Sequence, residues 1–247
     1  MGPSRHDCVN ASPVSHRFFV EQDVTEEVVL RGKQAHQIAN VLRIKAGEQI
    51  MLVRNDVESL VVVESVDPDQ VRGRCISKRS VAAEPRVRLT LALPILRGDR
   101  TEEVIEAVTQ LGVSRIVPFV SARSVVRSLP DAKRERWTRV AREGAETARR
   151  GRVPTIDEPR KWDRLFDALD APVLVAWESE VVVKLRDAAP DAAQLSLVIG
   201  PEGGFAMEEI VLARAHGAVT VSLGPRNLRS ETAAIAAVAL LMDAAER

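Results

Sequence analysis

Two cysteines and four histidines are all that 247 residues offer toward a disulfide framework or a metal centre. Cys8 and Cys75 lie far apart, and His6, His16, His36 and His216 form no HxxxH pair, so neither a bridge nor a structural zinc is expected. No run of 18 apolar residues exists, which sets aside a transmembrane helix, and the opening MGPSRHDCVNASPVSH lacks the apolar middle of a secretory signal. Residues 1–14 read as a flexible tail, and a cytoplasmic location is expected. Internal repeats and low-complexity tracts are missing too. What is present is 45% hydrophobic content, enough for the core of one large domain or two small ones.

Net charge is lacking as well, since 35 Lys and Arg balance 35 Asp and Glu. The balance is a sum of unequal parts. Residues 1–85 carry 11 bases against 12 acids, residues 86–152 carry 15 against 8, and residues 153–247 carry 9 against 15. Positive charge is therefore gathered in the middle segment. Of the 35 bases 29 are Arg, whose planar fork suits phosphate and whose face stacks on bases, so a nucleic-acid partner survives the overall zero.

From about residue 16 the chain reads as short strands, HRFFVEQ, GEQIMLVRN, SLVVVESVDPD and QVRGRCISKRS, each bounded by turn signals. These predict a small β-barrel or sandwich. One helical interruption, GKQAHQIANVLRI, places Ala35, Ile38, Val41 and Leu42 on one face. The pattern changes at Pro85, giving domains over 15–84 and 85–247. Beyond it strands and helices alternate: RLTLALPIL, then RTEEVIEAVTQLG as a helix, RIVPFVS, the helix KRERWTRVAREGAETARR, PVLVAWE, LSLVIG, the helix AMEEIVLARAHG, VTVSLG and the helix SETAAIAAVALLMDAAE. That alternation predicts an α/β domain with a parallel sheet, whose ligands bind at the carboxyl ends of the strands.

Three predicted strands end in loops at that edge: LVIG in PEGGF, VTVSLG in PRNLRSET and PVLVAW in ESE. PEGGF is no P-loop, because no Gly-Lys-Ser/Thr follows, and it lacks the GxGxxG spacing. Two glycine-bearing loops at one edge are jointly better explained by a pocket than by two tight turns. Ser230 or Thr232 stands where a long helix needs an N-cap, with Glu231 in the first turn to complement its dipole.

LVIGPEGGF followed by LGPRNLRSETAAIAA resembles the RsmE family, the SPOUT-superfamily methyltransferases that modify N3 of a uridine in 16S ribosomal RNA. HRFFV and HQIANVLRIKAGEQI are similar to its amino-terminal PUA-like barrel, and LPILRGDRTEEVIEAVTQLGV, IVPFVSARSVV and RRGRVP to the first half of its catalytic domain. The resemblance implies a trefoil knot in the SPOUT domain, an exception to the usual absence of knots. It implies S-adenosylmethionine as methyl donor, 16S rRNA or the 30S subunit as substrate, a homodimer, and neither a membrane nor a metal. The implied donor site comprises Trp177, Gly200, Pro201, Glu202, Gly203, Gly204, Leu223, Gly224, Asn227, Leu228, Arg229, Thr232 and Ala233, with glycine letting the ligand reach the backbone. Implied RNA contacts are Arg17, His36 and Arg43 in the barrel and Arg97, Arg123, Arg149 and Arg150 in the basic segment. His36 is equally readable as a satisfied barrel histidine. Helix 131–150, with Lys133, Arg134, Arg136, Arg139 and Arg142, is a further candidate RNA face.

Methylating N3 requires loss of the imide proton, because the neutral nitrogen's lone pair belongs to the ring. Arg229 is the candidate for stabilising the resulting anion or holding a phosphate. Glu231 could accept the proton, clamp Arg229 or merely serve the helix dipole. The face Ile235, Val238, Ala239 and Met242 of the last helix suits either a subunit interface or the core. Four positions depart from the family pattern, Ala107, Gln110, Ala122 and Thr147, which leaves open a SPOUT enzyme acting on another RNA or a ribose 2′-hydroxyl, or a non-catalytic RNA-binding assembly factor. The cofactor loops are intact.

Overall fold

A computed structural model describes residues 16–188 and 192–245. The expected tail over 1–14, with His6 and Cys8, lies outside the described residues. The chain divides between Val81 and Ala82 into two compact units.

The first unit is a curled five-stranded sheet in the order β1-β3-β4-β5-β2, formed by Arg17–Phe19 (β1), Glu27–Arg31 (β2), Gln49–Arg54 (β3), Val57–Val66 (β4) and Gln70–Ser80 (β5). The β3–β4 hairpin turns on Asn55 and Asp56, both at positive φ (48° and 63°), the backbone that a two-residue primed turn requires and that Asn and Asp tolerate. β2 is a strand the sequence reading passed over. After it come a helical turn, α1 (Gly32–His36), and a π-helical turn over Gln37–Val41. Ala35 and Ile38 of this segment are fully buried against Phe18, Leu30, Ile50, Leu52, Val61, Val63 and Val71, while Val41, expected on the same face, is 65% exposed. The π turn accounts for the difference, because one extra residue per turn rotates position 41 off the buried side. On β4, Glu58 is buried between Arg17 and Arg79, both of which donate to its carboxylate.

The second unit is a parallel sheet in the order β12-β10-β11-β6-β7-β8, with β9 also on β7. Its strands are Arg88–Pro94 (β6), Arg115–Val120 (β7), Thr155–Ile156 (β8), Arg160–Lys161 (β9), Val173–Ala176 (β10), Gln194–Ile199 (β11) and Val219–Val221 (β12). The helices are Arg100–Gln110 (α2), Asp131–Thr147 (α3), Trp162–Leu165 (α4), Leu185–Ala188 (α5), Met207–Ala215 (α6) and Ser230–Ala245 (α7). The central strands are apolar almost throughout because both faces are covered. Leu89, Leu91, Leu93, Leu195, Leu197 and Ile199 point to one core with α2, α3 and α7, and Ala92, Val173, Val175 and Val198 to the other with α4 and α6. Val238 and Met242, left open between interface and core, are buried in the first of these, with Ala239 and Ile235 half-buried. Among the described residues no helix is long and apolar enough to cross a membrane, and no group of three or more His, Cys, Asp or Glu could hold a metal ion.

Candidate active site

β12, β10 and β11 are neighbours running in parallel, so the loops after them emerge at one edge. Together the three loops enclose a cavity of about 1160 Å³. Its lining includes Trp177, Gly200, Pro201, Glu202, Gly203, Gly204, Leu223, Gly224, Asn227, Leu228, Arg229, Glu231 and Ala233. Of the residues assigned to the donor site, Thr232 stands apart: it is exposed on the first turn of α7 and outside the lining. The cavity also takes in Arg100, Glu178, Glu180, Lys184 and Arg226, which the sequence reading did not assign to it. Arg100 opens the helix after β6 and so stands at the same strand edge.

The PEGGF turn closes with the Gly204 N–H donating to Pro201 O at 2.9 Å. Its two glycines, and Gly200 just before it, are crowded from inside the protein. A Cβ at Gly200 would lie 3.1 Å from the Phe205 ring, one at Gly203 would lie 3.0 Å from Arg123 Cβ, and one at Gly204 (φ +67°) would collide with the Glu178 carboxylate. Internal crowding therefore acts at these glycines, all three of which also line the cavity where ligand access is expected. Gly224, in the same lining, has φ +106° and nothing closer to its missing Cβ than Arg226 Nη2 at 3.6 Å. Glu202 is exposed, and its Oε1 accepts from the Arg97 N–H at 3.4 Å, joining the loops after β11 and β6.

Ser230 is the first residue of α7, and its hydroxyl donates to Gly200 O at 2.8 Å. The expected cap is instead a tie between the two glycine loops, and the helix opens on Arg229, whose carbonyl accepts from Ala233 N–H. Glu231 is 17% exposed; its Oε1 lies 4.0 Å from Arg100 Nε, and its Oε2 is buried without a hydrogen-bond partner. A buried carboxylate oxygen left unpaired is costly, and it marks the place where a ligand N–H would be bound. Its ion-pair partner is Arg100 rather than the expected Arg229, which is exposed at the cavity wall.

On the third side, hydrogen bonds from the Thr220 hydroxyl and the Val182 and Val183 N–H groups hold the Glu180 carboxyl below the usual carboxylate range, with Arg214 adding its charge.

The residues assigned to RNA divide. Arg97, Arg123 and Arg149 are exposed, as are His36 and Arg43. His36 faces Asn40 across 3.0 Å rather than sitting in the core of the first unit. Arg123 also donates to Gly203 O at 3.2 Å. Arg17 is committed to Glu58 at 2.6 Å, and its side chain is only 10% exposed. Arg150 is 2% exposed, paired with Glu84 and donating to the Thr109 and Val113 carbonyls, so it braces the interior instead of facing a ligand. On α3, Arg134 and Arg136 are paired with Glu158 and Glu102, which thins the basic face expected there. None of Ala107, Gln110, Ala122 and Thr147 lines the cavity.

A parallel sheet with a cavity at its carboxyl edge, lined by acidic, basic and apolar groups, defines an α/β ligand-binding domain. A sequence profile of the RNA methyltransferase domain matches residues 83–242. The chain is 32% identical over 244 residues to ribosomal RNA small subunit methyltransferase E of Bacillus subtilis, covering 91% of this chain and 95% of that protein. To the protein of the same name from Mycobacterium bovis it is 34% identical over 239 residues, covering 91% and 90%. A crystal structure of ribosomal RNA small subunit methyltransferase E from Neisseria gonorrhoeae bound to S-adenosyl methionine superposes with a TM-score of 0.84 at 26% identity, over 92% of this chain and 97% of that one. The chain belongs to the RNA methyltransferase family, in the branch of the ribosomal RNA small subunit methyltransferases E.

Proposed function

We propose that this protein transfers the methyl group of S-adenosylmethionine to N3 of a uridine in 16S rRNA. The observation that carries the reading is the unpaired, buried Oε2 of Glu231 in a cavity walled by the three carboxyl-edge loops. The residues present fit the donor. The cavity has room for a nucleoside-sized ligand, the uncrowded Gly224 in its lining leaves backbone for a ligand to lie against, and both acidic and basic side chains line it, as suits an amino acid carrying both charges.

Bound there, the donor supplies a methyl group on a sulfonium, a leaving group that needs neither metal nor covalent enzyme intermediate. The chain's own task is to position the base and deprotonate it. Glu231 Oε2 takes the imide proton from N3, and Arg229 at the cavity wall stabilises the negative charge spread over O2 and O4. Arg100 Nε, 4.0 Å from Glu231 Oε1, engages the other carboxylate oxygen and leaves Oε2 for the base. Arg97, Arg123, Arg149, His36 and Arg43 contact RNA phosphates.

The finer architecture follows the family resemblance: the curled sheet is a PUA-like barrel, the carboxyl-terminal domain carries the SPOUT trefoil knot, and the protein works as a cytoplasmic homodimer. Support for the knot comes from β11, which inserts between β6 and β10, and from the Ser230 to Gly200 tie. Calorimetry with S-adenosylhomocysteine tests the donor site, and no heat would sink the reading. Nucleoside mass spectrometry of 16S rRNA from a deletion strain tests the target: N3-methyluridine disappears if the assignment holds, and its persistence overturns it.

A further inference from the structure

Trp177 forms part of the cavity wall, yet it is held by residues that the chemistry above does not use. It follows β10, where its backbone N–H donates to Val221 O at 3.0 Å and its carbonyl accepts the Glu180 N–H at 3.1 Å. The guanidinium of Arg214, on α6, lies over the indole with Cζ 5.5 Å from a ring centroid. Arg214 Nη2 donates to Thr220 Oγ1 at 2.8 Å, and the Thr220 hydroxyl donates onward to Glu180 Oε2 at 2.7 Å, with Nη2 itself 3.5 Å from that oxygen. Glu180 Oε1 accepts the Val182 and Val183 N–H groups at 2.9 and 3.3 Å. The bonds run in one direction, from cation through hydroxyl to carboxylate, so the single Thr220 proton is placed and every member is used. Three elements, α6, β12 and the loop after β10, thereby converge on one ring.

We propose that Arg214, Thr220 and Glu180 form a brace that presets Trp177 as a wall of the methyl-donor site, with Arg214 as a positioning residue. The inference rests on the reading of the cavity as that site. A ring fixed before binding loses little freedom when a ligand packs on it, so Arg214 and Thr220, both outside the lining, contribute to affinity without touching the ligand. The guanidinium over the indole also selects what packs there. An uncharged planar group gains from the ring, whereas a second cation meets the field of the first. Trp177 therefore meets the heteroaromatic part of the donor rather than its sulfonium, and the brace serves S-adenosylmethionine and S-adenosylhomocysteine alike.

Calorimetry on the full chain with both ligands tests this. Arg214→Ala raises the Kd of each by about three- to tenfold, the size of a cation–π and orientation effect. Arg214→Lys, which keeps a cation over the ring, recovers part of the loss, and with rRNA substrate the defect falls on KM for the donor rather than on kcat. In a Trp177→Ala background Arg214→Ala has no further effect, as expected if it acts only through the indole. Should Arg214→Ala unfold the chain, Arg214→Lys and Thr220→Val, which removes the hydroxyl link from outside the lining, carry the same comparison. Unchanged affinity in the Arg214 variants, or losses that simply add to that of Trp177→Ala, overturns the brace. Absence of binding by the unaltered chain overturns the donor reading, and the brace falls with it.

Discussion

Glu231 shows what one residue's surroundings decide. Its place in the first turn of a helix is what any sequence would assign to a carboxylate serving the dipole, but a carboxylate that did only that would be solvated. Instead one oxygen is buried and unpaired and the other sits 4.0 Å from Arg100. Glu231→Gln keeps the volume and removes the proton acceptor. It is expected to bind S-adenosylhomocysteine within about twofold of the native chain while kcat falls by about 10²- to 10⁴-fold, the range of general-base contributions. Methyl incorporation into rRNA checks the second half, and a near-native rate would remove Glu231 from the mechanism. Arg150 makes the complementary case. Beside Arg149 in sequence it looks like one of a basic pair, yet it is buried with Glu84. Arg150→Ala strands that carboxylate and is expected to destabilise the second unit by about 3–5 kcal/mol, measured by urea unfolding.

The difference between those two arginines is made at the level of the element. α3 ends with Arg149 at φ +56°, and the Arg150 N–H reaches back to Ala145 O at 2.9 Å, a Schellman-type ending with arginine where glycine is usual. That left-handed residue turns the chain so that 149 faces out and 150 faces in. Arg149→Gly relieves the backbone and is expected to stabilise the domain by about 1 kcal/mol while weakening RNA binding, two effects that unfolding and filter-binding measurements separate. In the other unit Glu58 sits on β4. Burial alone would raise its carboxyl, but hydrogen bonds and charge from Arg17 and Arg79 outweigh burial and leave it below the ordinary value. A depressed folded-state value means the stabilisation is complete above the unfolded value of about 4.3 and is lost as pH falls from there through the folded value. Glu58→Gln is expected to flatten that acid limb of the stability curve. The elements that escaped sequence reading are short ones, β2 with five residues, β8 and β9 with two each and α4 and α5 with four each, together with a π turn that breaks helical spacing at Val41.

For the whole molecule the zero net charge conceals the proposed partner, since the positive charge is gathered in residues 86–152. Replacing Arg97, Arg123 and Arg149 together by Ala is expected to weaken rRNA binding and to lower the slope of log K against log salt by roughly 0.7–0.9 for each phosphate no longer neutralised. A slope that did not change would place the RNA elsewhere. The proposed homodimer is checked by sedimentation equilibrium, where a monomer at micromolar concentration would contradict it.

Strand–helix alternation after Pro85, the glycine loops at the strand ends and the gathering of arginine were all legible in the sequence, because period, turn chemistry and charge are local properties of the chain. Most of the cavity's lining could be assigned from those loops for the same reason. Which loops become neighbours was not local: the order β12-β10-β11-β6-β7 brings together segments far apart in sequence, and only that order sets Arg100 beside Glu231, Arg214 over Trp177 and Arg123 against Gly203. Burial likewise depends on what the rest of the fold lays over a residue, so the tertiary structure alone decided that Arg150 is interior, that Gly200, Gly203 and Gly204 answer to their own neighbours, and that one oxygen of Glu231 lacks a partner within the chain.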